Sequence, residues 1–356
     1  SAQRELEFAR LLTEQLLGSA PSVVVSYPQR EADSDLRHSP LFSALPEIGE
    51  KEIGQAAEIG YTEQLRRSSR IEFVEDHMAP PWDGPLLRGG TAIFTHQAAC
   101  PFRAFAQLRL GADALDSAQP GLSALDRGTL IHDVLQRVWD ELRSHEGLML
   151  VQADRLEAVV RNAVQESIHA MALKRRAIRQ PRFAAVEQAR LEHIITEWLE
   201  LEKLRQPFTV LRQEEARNVA VGGVDLTIRA DRVDRLDGGT LVVIDYKSGK
   251  HHPSEWDGDR PDEPQLPLYA ITAEAPLSGV FFGILKVGES RFSGLALSEG
   301  IVPKVKPGPK DVPLPEHIEN WRRVLEQLAT DFRDGKAVVD PKKPQDTCKH
   351  CSLPGL

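Results

Sequence analysis

The sequence predicts an α/β fold in which helices flank a mixed β-sheet, with a helical insertion ahead of the sheet. Helical periodicity dominates residues 95–204, and the pattern then changes to strands up to about residue 250. A helix and one more strand follow, and a last helix closes the chain. Helices that precede a β-meander, which then resumes as helix and strand, indicate a mixed sheet with helical cover.

The first part of the chain differs from the rest. Residues 1–18 have helical periodicity, and "PSVVVSYP" predicts a short buried strand. From Gln29 to about Pro85 the sequence is polar and contains proline, without a clear period. We therefore expect residues 1–85 to be the remnant and linker of a larger region, and residues 86–356 to form the second domain. The chain would then be the C-terminal part of a longer protein.

The second domain begins with helices. "HQAACPFRAFAQLRL" predicts a helical segment around Cys100, and "SALDRGTLIHDVLQRVWDELRSH" predicts a strongly amphipathic helix. Two further helices are expected at roughly 152–178 and 183–204. The predicted strands are "ARNVAVGG", "VDLTIRADRVDRL", "TLVVIDYKS" and "SGVFFGILKV". A helix at about 263–274 precedes the fourth strand, and "PEHIENWRRVLEQLATDFRDG" predicts the last helix.

Composition and charge limit the classes of function that this protein can have. The 356 residues are 41% hydrophobic and 27% charged, which is typical of a soluble globular protein. No apolar run has the length of a membrane span and the N-terminus lacks the order of a signal peptide, so we expect a cytoplasmic protein without a membrane partner. The net charge of −9 argues against a surface coated for nucleic acid, but it does not exclude a local basic groove. The basic stretch "LKRRAIRQPR" is compatible with a solvated helix face or with a DNA contact.

A hairpin carries the main chemical signal. The turn sequence Asp237-Gly238-Gly239 separates two long strands. On the second strand, Asp245 and Lys247 are two residues apart and share a face. If all three turn residues form the loop, Asp231 of the first strand lies opposite Asp245. A two-residue loop would instead place Asp231 on the other face.

Two carboxylates directly opposite each other repel unless a positive charge neutralises them. A hard divalent cation such as Mg²⁺ or Mn²⁺, bound through oxygen ligands, would do so. A lysine beside such an ion can orient an attacking water or stabilise charge on a phosphate oxygen. The pattern therefore indicates a metal-assisted phosphodiesterase, and the alternative is a surface hairpin with scattered charges.

"IRADRVDRLDGGTLVVIDYKSG" resembles the PD-(D/E)XK nucleases, in particular the branch that contains RecB, AddB and the CRISPR adaptation nucleases. Two more segments match this branch in order: "GTLIHDVL", which contains His132, and "QLPLY", which gives Gln265 and Tyr269 the family's Q-x-x-x-Y spacing. Ala230 replaces the proline of the family's first motif. The resemblance implies a restriction-endonuclease-like core.

The resemblance also implies roles for these residues. Asp231, Asp245 and Lys247 would be catalytic, and His132 would join the two aspartates as a metal ligand. Gln265 and Tyr269 would position DNA. An acidic ligand often precedes the first motif, and Glu214 or Glu215 would fill that role, a choice that the sequence leaves open.

The three cysteines resemble the iron–sulfur staple of AddB-type nucleases, in which four thiolates tie the two ends of the domain together. Cys100 precedes the core, and Cys348 and Cys351 follow it. The fourth thiolate would be residue 357, one position beyond the sequence. We expect a [4Fe–4S] cluster in the full-length protein, with a zinc site using His350 or water, or an empty site, as alternatives.

The function that these motifs imply is a Mg²⁺- or Mn²⁺-dependent deoxyribonuclease, with exonuclease action expected. Its substrate would be single-stranded DNA or DNA ends in repair and recombination, supplied by a helicase partner subunit. Residues 1–85 would then end a helicase-like region, although no Walker phosphate loop occurs in the chain. The alternatives are a non-catalytic DNA-end-binding or scaffold module on the same fold, and a metal-binding regulatory protein without a nucleic-acid role.

Overall fold

The chain forms two compact units in a computed structural model, Ser1–Val74 and Glu75–Leu356. The structure describes residues 2–48, 61–68, 76–82, 84, 89–113, 121–306, 312–349 and 351–353. Within these ranges, every helix is too short or too polar to cross a lipid bilayer.

The first unit contains little regular structure. Its elements are α1 (Ala2–Leu17), the two-residue strands β1 (Arg30–Glu31) and β2 (Ser34–Asp35), a 3-10 turn at Pro40–Phe42, and α2 (Tyr61–Arg67). The prediction of an N-terminal helix is confirmed. The prediction of a buried strand in "PSVVVSYP" is wrong, because Val24 is 71% exposed and residues 22–27 have no strand beside them in the described part of this unit. A strand needs such a partner to satisfy its backbone hydrogen bonds.

A mixed five-stranded sheet forms the centre of the second unit. Its strands, in spatial as well as chain order, are β3 (Phe208–Val221), β4 (Val224–Leu236), β5 (Leu241–Lys247), β6 (Leu277–Ile284) and β7 (Arg291–Ala296). Strands β5 and β6 are parallel, and all other neighbours are antiparallel. The parallel pair requires a crossover, and α9 (Gln265–Ile271) lies in that connection.

Helices precede and follow the sheet. They are α3 (Ala92–Ala99), α4 (Pro101–Ala104), α5 (Ala124–Leu142), α6 (His145–Leu150), α7 (Ala153–Lys174), α8 (Pro181–Glu202), α10 (Leu314–Arg333) and α11 (Pro344–Lys349). Short 3-10 turns lie at Arg176–Arg179 and Pro253–Trp256, and a π-helical turn lies at Phe105–Arg109. The helical segment predicted around Cys100 is interrupted there, because Cys100 precedes a proline and has extended backbone angles.

The sheet is buried on both faces. Val242, Ile244 and Tyr246 of β5 belong to a core with α5, α7 and α8, whereas Leu241 and Val243 belong to a second core with α3, α9 and α10. This two-residue alternation follows from strand geometry. The predicted α/β fold, a mixed sheet between helices with a helical insertion before it, is confirmed.

Candidate metal centre

The β4–β5 hairpin has the three-residue loop. Arg232 pairs with Ile244, and the amide of Leu236 donates to the carbonyl of Thr240 at 2.9 Å. Gly239 has a φ of +79°, and its amide donates to the Leu236 carbonyl at 2.8 Å. Extended by one position, this register sets Asp231 opposite Asp245, on the shared face that the sequence required.

Strand β3 adds a third carboxylate. The pairs Gln213–Arg232 and Glu215–Ala230 set Glu214 opposite Asp231. Glu214 has a φ of +47°, an uncommon backbone conformation for a residue other than glycine. Its side chain is 15% exposed and faces the aspartate, while the Glu215 side chain is 61% exposed and lies 3.5 Å from the Nε of Arg212. Of the two candidates, Glu214 is therefore the one beside Asp231.

Helix α5 brings His132 to the same place. A capping box between Ser123 and Asp126 starts this helix, and its apolar side packs in the core. The Nε2 of His132 lies 2.9 Å from the carbonyl oxygen of Tyr246, and Nδ1 lies 3.2 Å from Glu214 Oε1 and 3.5 Å from Asp231 Oδ1. Because a carbonyl only accepts, Nε2 carries a hydrogen and Nδ1 faces the carboxylates.

Burial and mutual repulsion dominate the electrostatics of Asp231. Its Oδ2 accepts a 2.6 Å hydrogen bond from the amide of Tyr246. Burial and the nearby charge of Asp245 raise the pKa of Asp231 to about 8. Burial alone would lower the pKa of His132, but the hydrogen bond to Glu214 and the charge of Asp231 outweigh it and raise that pKa to about 9. Without a metal ion, both groups therefore keep their protons up to a higher pH than they would in isolation.

Lys247 completes the centre from the end of β5. Its Nζ lies 3.0 Å from Asp245 Oδ2 and 3.6 Å from Glu263 Oε2. Burial lowers the pKa of Lys247, but the two carboxylates outweigh that effect and raise it. Although Asp245 Oδ2 is within ion-pair distance of the ammonium, it has no hydrogen bond of acceptable geometry among the described residues. The ion pair still stabilises both charges, because charge attraction depends only weakly on angle.

These residues fit a hard divalent cation. Nδ1 of His132 and a carboxylate oxygen from each of Glu214 and Asp231 all lie within 4.8 Å of one another. On the adjacent strand, Asp245 offers Oδ2, a buried oxygen that pairs with the Lys247 ammonium and has no hydrogen bond to a described residue. An oxygen-rich set with one imidazole is typical of Mg²⁺ or Mn²⁺ sites.

The centre lies in an open cleft of about 800 Å³. Gln265 of α9, the predicted DNA-positioning residue, lines this cleft. Tyr269, one turn later, is 6% exposed and lines a smaller cavity with Arg212, Arg217 and Ala230. The pair therefore does not share one exposed helix face, and the Tyr269 hydroxyl has no hydrogen-bond partner in the described part of the chain.

Sequence reasoning missed two groups near the centre. Glu263 contacts Lys247, and it also lies in a second cluster of potential ligands with His251 and Glu255. The only signal for Glu263 was its position two residues before Gln265. The second group consists of Glu202, Arg205, Arg232 and Asp234, whose side chains are all 0% exposed.

Arg232 is the hub of that buried group. It donates to Asp234 at 2.6 Å, to Glu202 at 2.9 Å and to the Tyr246 hydroxyl at 3.1 Å, and its guanidinium stacks 3.9 Å from the centre of the Trp139 ring. Arg232 follows Asp231 in the chain, and Tyr246 follows Asp245. The network therefore holds both strands next to the residues that form the metal centre. Its sequence signal was the run of charges in "RADRVDRL", within a predicted strand.

The three cysteines are free, with Cys100 buried, Cys348 exposed and Cys351 half-buried. The C-terminal segment nevertheless lies against the helices around Cys100. The amide of Lys342 donates to the Ala99 carbonyl at 2.8 Å, and Gln107 donates to Ser352 Oγ at 2.9 Å. Neither ligand cluster found among the described residues includes a cysteine, and His350 lies outside those residues.

The protein SSO0001, known from a crystal structure, aligns with 14% identity and a TM-score of 0.26 over 67% of this chain and 85% of its own. No curated protein matches the chain. The sequence profile of the PD-(D/E)XK nuclease superfamily, in contrast, matches residues 94–356, which include the entire sheet and the candidate metal centre. The chain belongs to the PD-(D/E)XK nuclease superfamily.

Proposed function

We propose that this protein is a Mg²⁺- or Mn²⁺-dependent DNA nuclease of the RecB/AddB-like branch. The observation that supports it best is the hairpin register, which sets Asp231 opposite Asp245 with Lys247 on the same face. His132 and Glu214 converge on this point from two other elements. Such convergence is not expected of a surface hairpin with scattered charges.

In this proposal Asp231, Asp245 and the Nδ1 of His132 hold the cation, and Glu214 is a further ligand. The bound cation supplies a positive charge for a phosphate oxygen and makes water more acidic. Lys247 orients the attacking water, or stabilises the charge that develops on the phosphate, through its ammonium group. The Tyr246 carbonyl and amide hold His132 and Asp231 in place.

The proposed substrate is single-stranded DNA or DNA ends, cleaved as an exonuclease during repair or recombination in the cytoplasm. Gln265 would contact the DNA strand in the cleft, and the buried Tyr269, one turn later in α9, would help to position that strand. A net charge of −9 suits a site that receives DNA from a helicase partner subunit more than one that captures DNA by itself. The first unit would be the end of a helicase-like region in a longer AddB-like protein.

We also propose that Cys100, Cys348 and Cys351 hold a [4Fe–4S] cluster together with a fourth thiolate from the full-length protein. The contacts of Lys342 and Ser352 with the Cys100 region support this, since they bring the two ends of the nuclease domain together. Iron and acid-labile sulfide in anaerobically prepared, longer protein would test it.

The test of nuclease function is cleavage of end-labelled single-stranded DNA with Mg²⁺ or Mn²⁺. Asp245→Ala and Lys247→Ala should each reduce the rate by at least about 100-fold, because each removes a group from the centre. Matched controls are Asp237→Ala in the exposed hairpin loop and Lys203→Ala just after α8, where the ammonium pairs with Glu200. Both controls should cleave at the wild-type rate.

If the folded, metal-loaded wild type cleaves no strand or end, the catalytic proposal is wrong. Binding of DNA in Ca²⁺ without cleavage in Mg²⁺ would favour the scaffold alternative. Absence of DNA binding in either ion would favour the regulatory alternative.

A further inference from the structure

The end of α7, the start of α8 and the turn between them form the most basic part of the second unit. We call this stretch, residues 174–182, the basic connection. Residues 167–186 contain five lysines and arginines and no aspartate or glutamate, in a chain with a net charge of −9. All five basic side chains are exposed; they are Lys174, Arg175, Arg176, Arg179 and Arg182. Ile178, which is 2% exposed, anchors this basic connection in the core. The segment is therefore held in place and its charges face solvent.

Two of the five basic side chains stabilise the fold through contacts with neighbouring helices. Arg175 binds Asp126 of the α5 capping box at 2.8 Å, and Arg179 donates to the carbonyls of Ala172 and Leu173 in the last turn of α7. Lys174, Arg176 and Arg182 have no carboxylate partner among the described residues. Folding alone therefore does not account for these three charges.

Arg182 places a positive charge where the partial charge of the helix is also positive. It lies in the first turn of α8, which has no acidic residue there and no side-chain cap. The N-terminus of a helix carries partial positive charge, so a cation at this position destabilises the helix. A polyanion bound at the surface would offset that cost.

The basic connection adjoins the cleft through α5. Arg175 contacts Asp126 in the first turn of α5, and Leu125 and Gly128 of the same stretch line the cleft. Asp126 precedes His132 by six residues, which corresponds to about 9 Å along the helix. A path of a few nucleotides therefore leads from the metal centre along α5 to the basic connection. Leu125, which is 77% exposed, offers an apolar contact for an unpaired base on the way.

We propose that the basic connection, through Lys174, Arg176 and Arg182, binds phosphates of the single DNA strand that occupies the cleft. This inference rests on the proposed nuclease function and assigns the direction in which the strand leaves the centre. Each contact with a phosphate releases counterions, so its removal lowers the salt dependence of binding as well as the affinity.

The experiment is a fluorescence anisotropy titration of a labelled single strand of about 20 nucleotides at several salt concentrations. All proteins carry Asp245→Ala, so that cleavage does not interfere. The double variant Arg176→Gln/Arg182→Gln should weaken binding about tenfold near 0.1 M salt and reduce the slope of log K against log salt by about 1.4. The matched control, Arg155→Gln/Arg161→Gln, makes the same charge change at the far end of α7, where Arg161 lies about 20 Å from Lys174 along the helix. Its affinity and slope should equal those of the parent.

A second variant separates binding from folding. Arg182→Glu replaces a cation by an anion at the N-terminus of α8, so its melting temperature should stay equal or increase while DNA binding weakens. Unchanged affinity and slope in both the double variant and Arg182→Glu would overturn the inference. If the wild type still cleaved DNA in an Asp245-dependent manner, the proposed function would survive that result. An inactive wild type would instead refute the proposed function, while the anisotropy series would still decide the binding surface.

Discussion

At the scale of single residues, the role of His132 depends on two carboxylate side chains and one main-chain carbonyl. Its Nε2 hydrogen binds a carbonyl on β5, and its Nδ1 faces carboxylates on β3 and β4. Because the first contact determines the tautomer, the second nitrogen is left with a lone pair for a cation. Without a cation, the same surroundings raise the pKa of both His132 and Asp231, which predicts a measurable dependence of stability on pH.

The contribution of Asp231 and His132 to the stability of the metal-free protein should fall as pH increases from about 4 to about 9, most steeply between about 6.5 and 8, where both groups contribute. The pKa of Asp231 is raised from 3.8 to about 8 and that of His132 from 6.5 to about 9. In this window the folded state holds more protons than the unfolded state, so stability decreases with pH. Mg²⁺ replaces those protons, so its stabilising effect should increase over the same window. Melting temperatures in EDTA and in Mg²⁺ would measure both trends.

The control for this pH dependence is the double variant Asp231→Asn/His132→Gln, which removes both titrating groups. Its melting temperature should vary less with pH in EDTA and should respond little to Mg²⁺. A wild-type response to Mg²⁺ that does not change between pH 6.5 and pH 9 would contradict the proton competition.

At the scale of elements, the β4–β5 turn decides whether the site exists. A loop one residue shorter would turn Asp231 to the other face of the sheet. The longer loop requires a φ of +79° at position 239. Glycine adopts this conformation readily, whereas residues with a Cβ atom do not. Gly238, the neighbouring residue, does not have a positive φ, and a Cβ at either position would meet no atom within 4 Å.

These two glycines give a matched pair of variants. Gly239→Ala should lower the free energy of unfolding by about 1–2 kcal/mol, because the left-handed conformation disfavours alanine. Gly238→Ala should be neutral or stabilise the protein by up to about 1 kcal/mol, since it restricts the unfolded chain. Urea unfolding of the second unit would measure both changes. Equal effects of the two substitutions would show that backbone conformation is not the cause.

At the scale of the whole molecule, the buried charge network joins the helical insertion to the sheet. Glu202 comes from α8, the stacked Trp139 from α5, and Arg232 and Asp234 from β4. Two acids and two arginines balance one another inside the protein. Such a group is weak evidence for net stability, but loss of one member leaves a buried charge without compensation.

Arg232→Met should therefore lower the free energy of unfolding by about 3–5 kcal/mol. Arg235→Gln, three residues later on the same strand, is the control, since its exposed side chain should change stability by no more than about 0.5 kcal/mol. Chemical denaturation would give both values. A loss below about 1 kcal/mol in Arg232→Met would mean that Arg205 alone compensates both acids.

Much of the fold was predictable from local pattern. The amphipathic helix that became α5, the strands β4 to β6, and the crossover helix all follow from periodicity, which each segment carries by itself. Strand β7 was missed, and the strand expected in the first unit was wrong. Whether a short apolar run forms a strand depends on a neighbouring strand, which local pattern does not contain.

The sequence by itself determined the candidate ligand types, their order in the chain, and the two registers that the hairpin could adopt. Tertiary structure decided between those registers, selected Glu214 over Glu215, and brought His132 to the sheet across 114 residues from Tyr246. It also placed the basic connection next to the first turn of α5, which lines the cleft. The sequence had left open whether this stretch is a solvated helix face or a DNA contact. The physical reason is that spacing determines which face a residue takes on its own helix or strand, whereas packing between elements determines what that face meets.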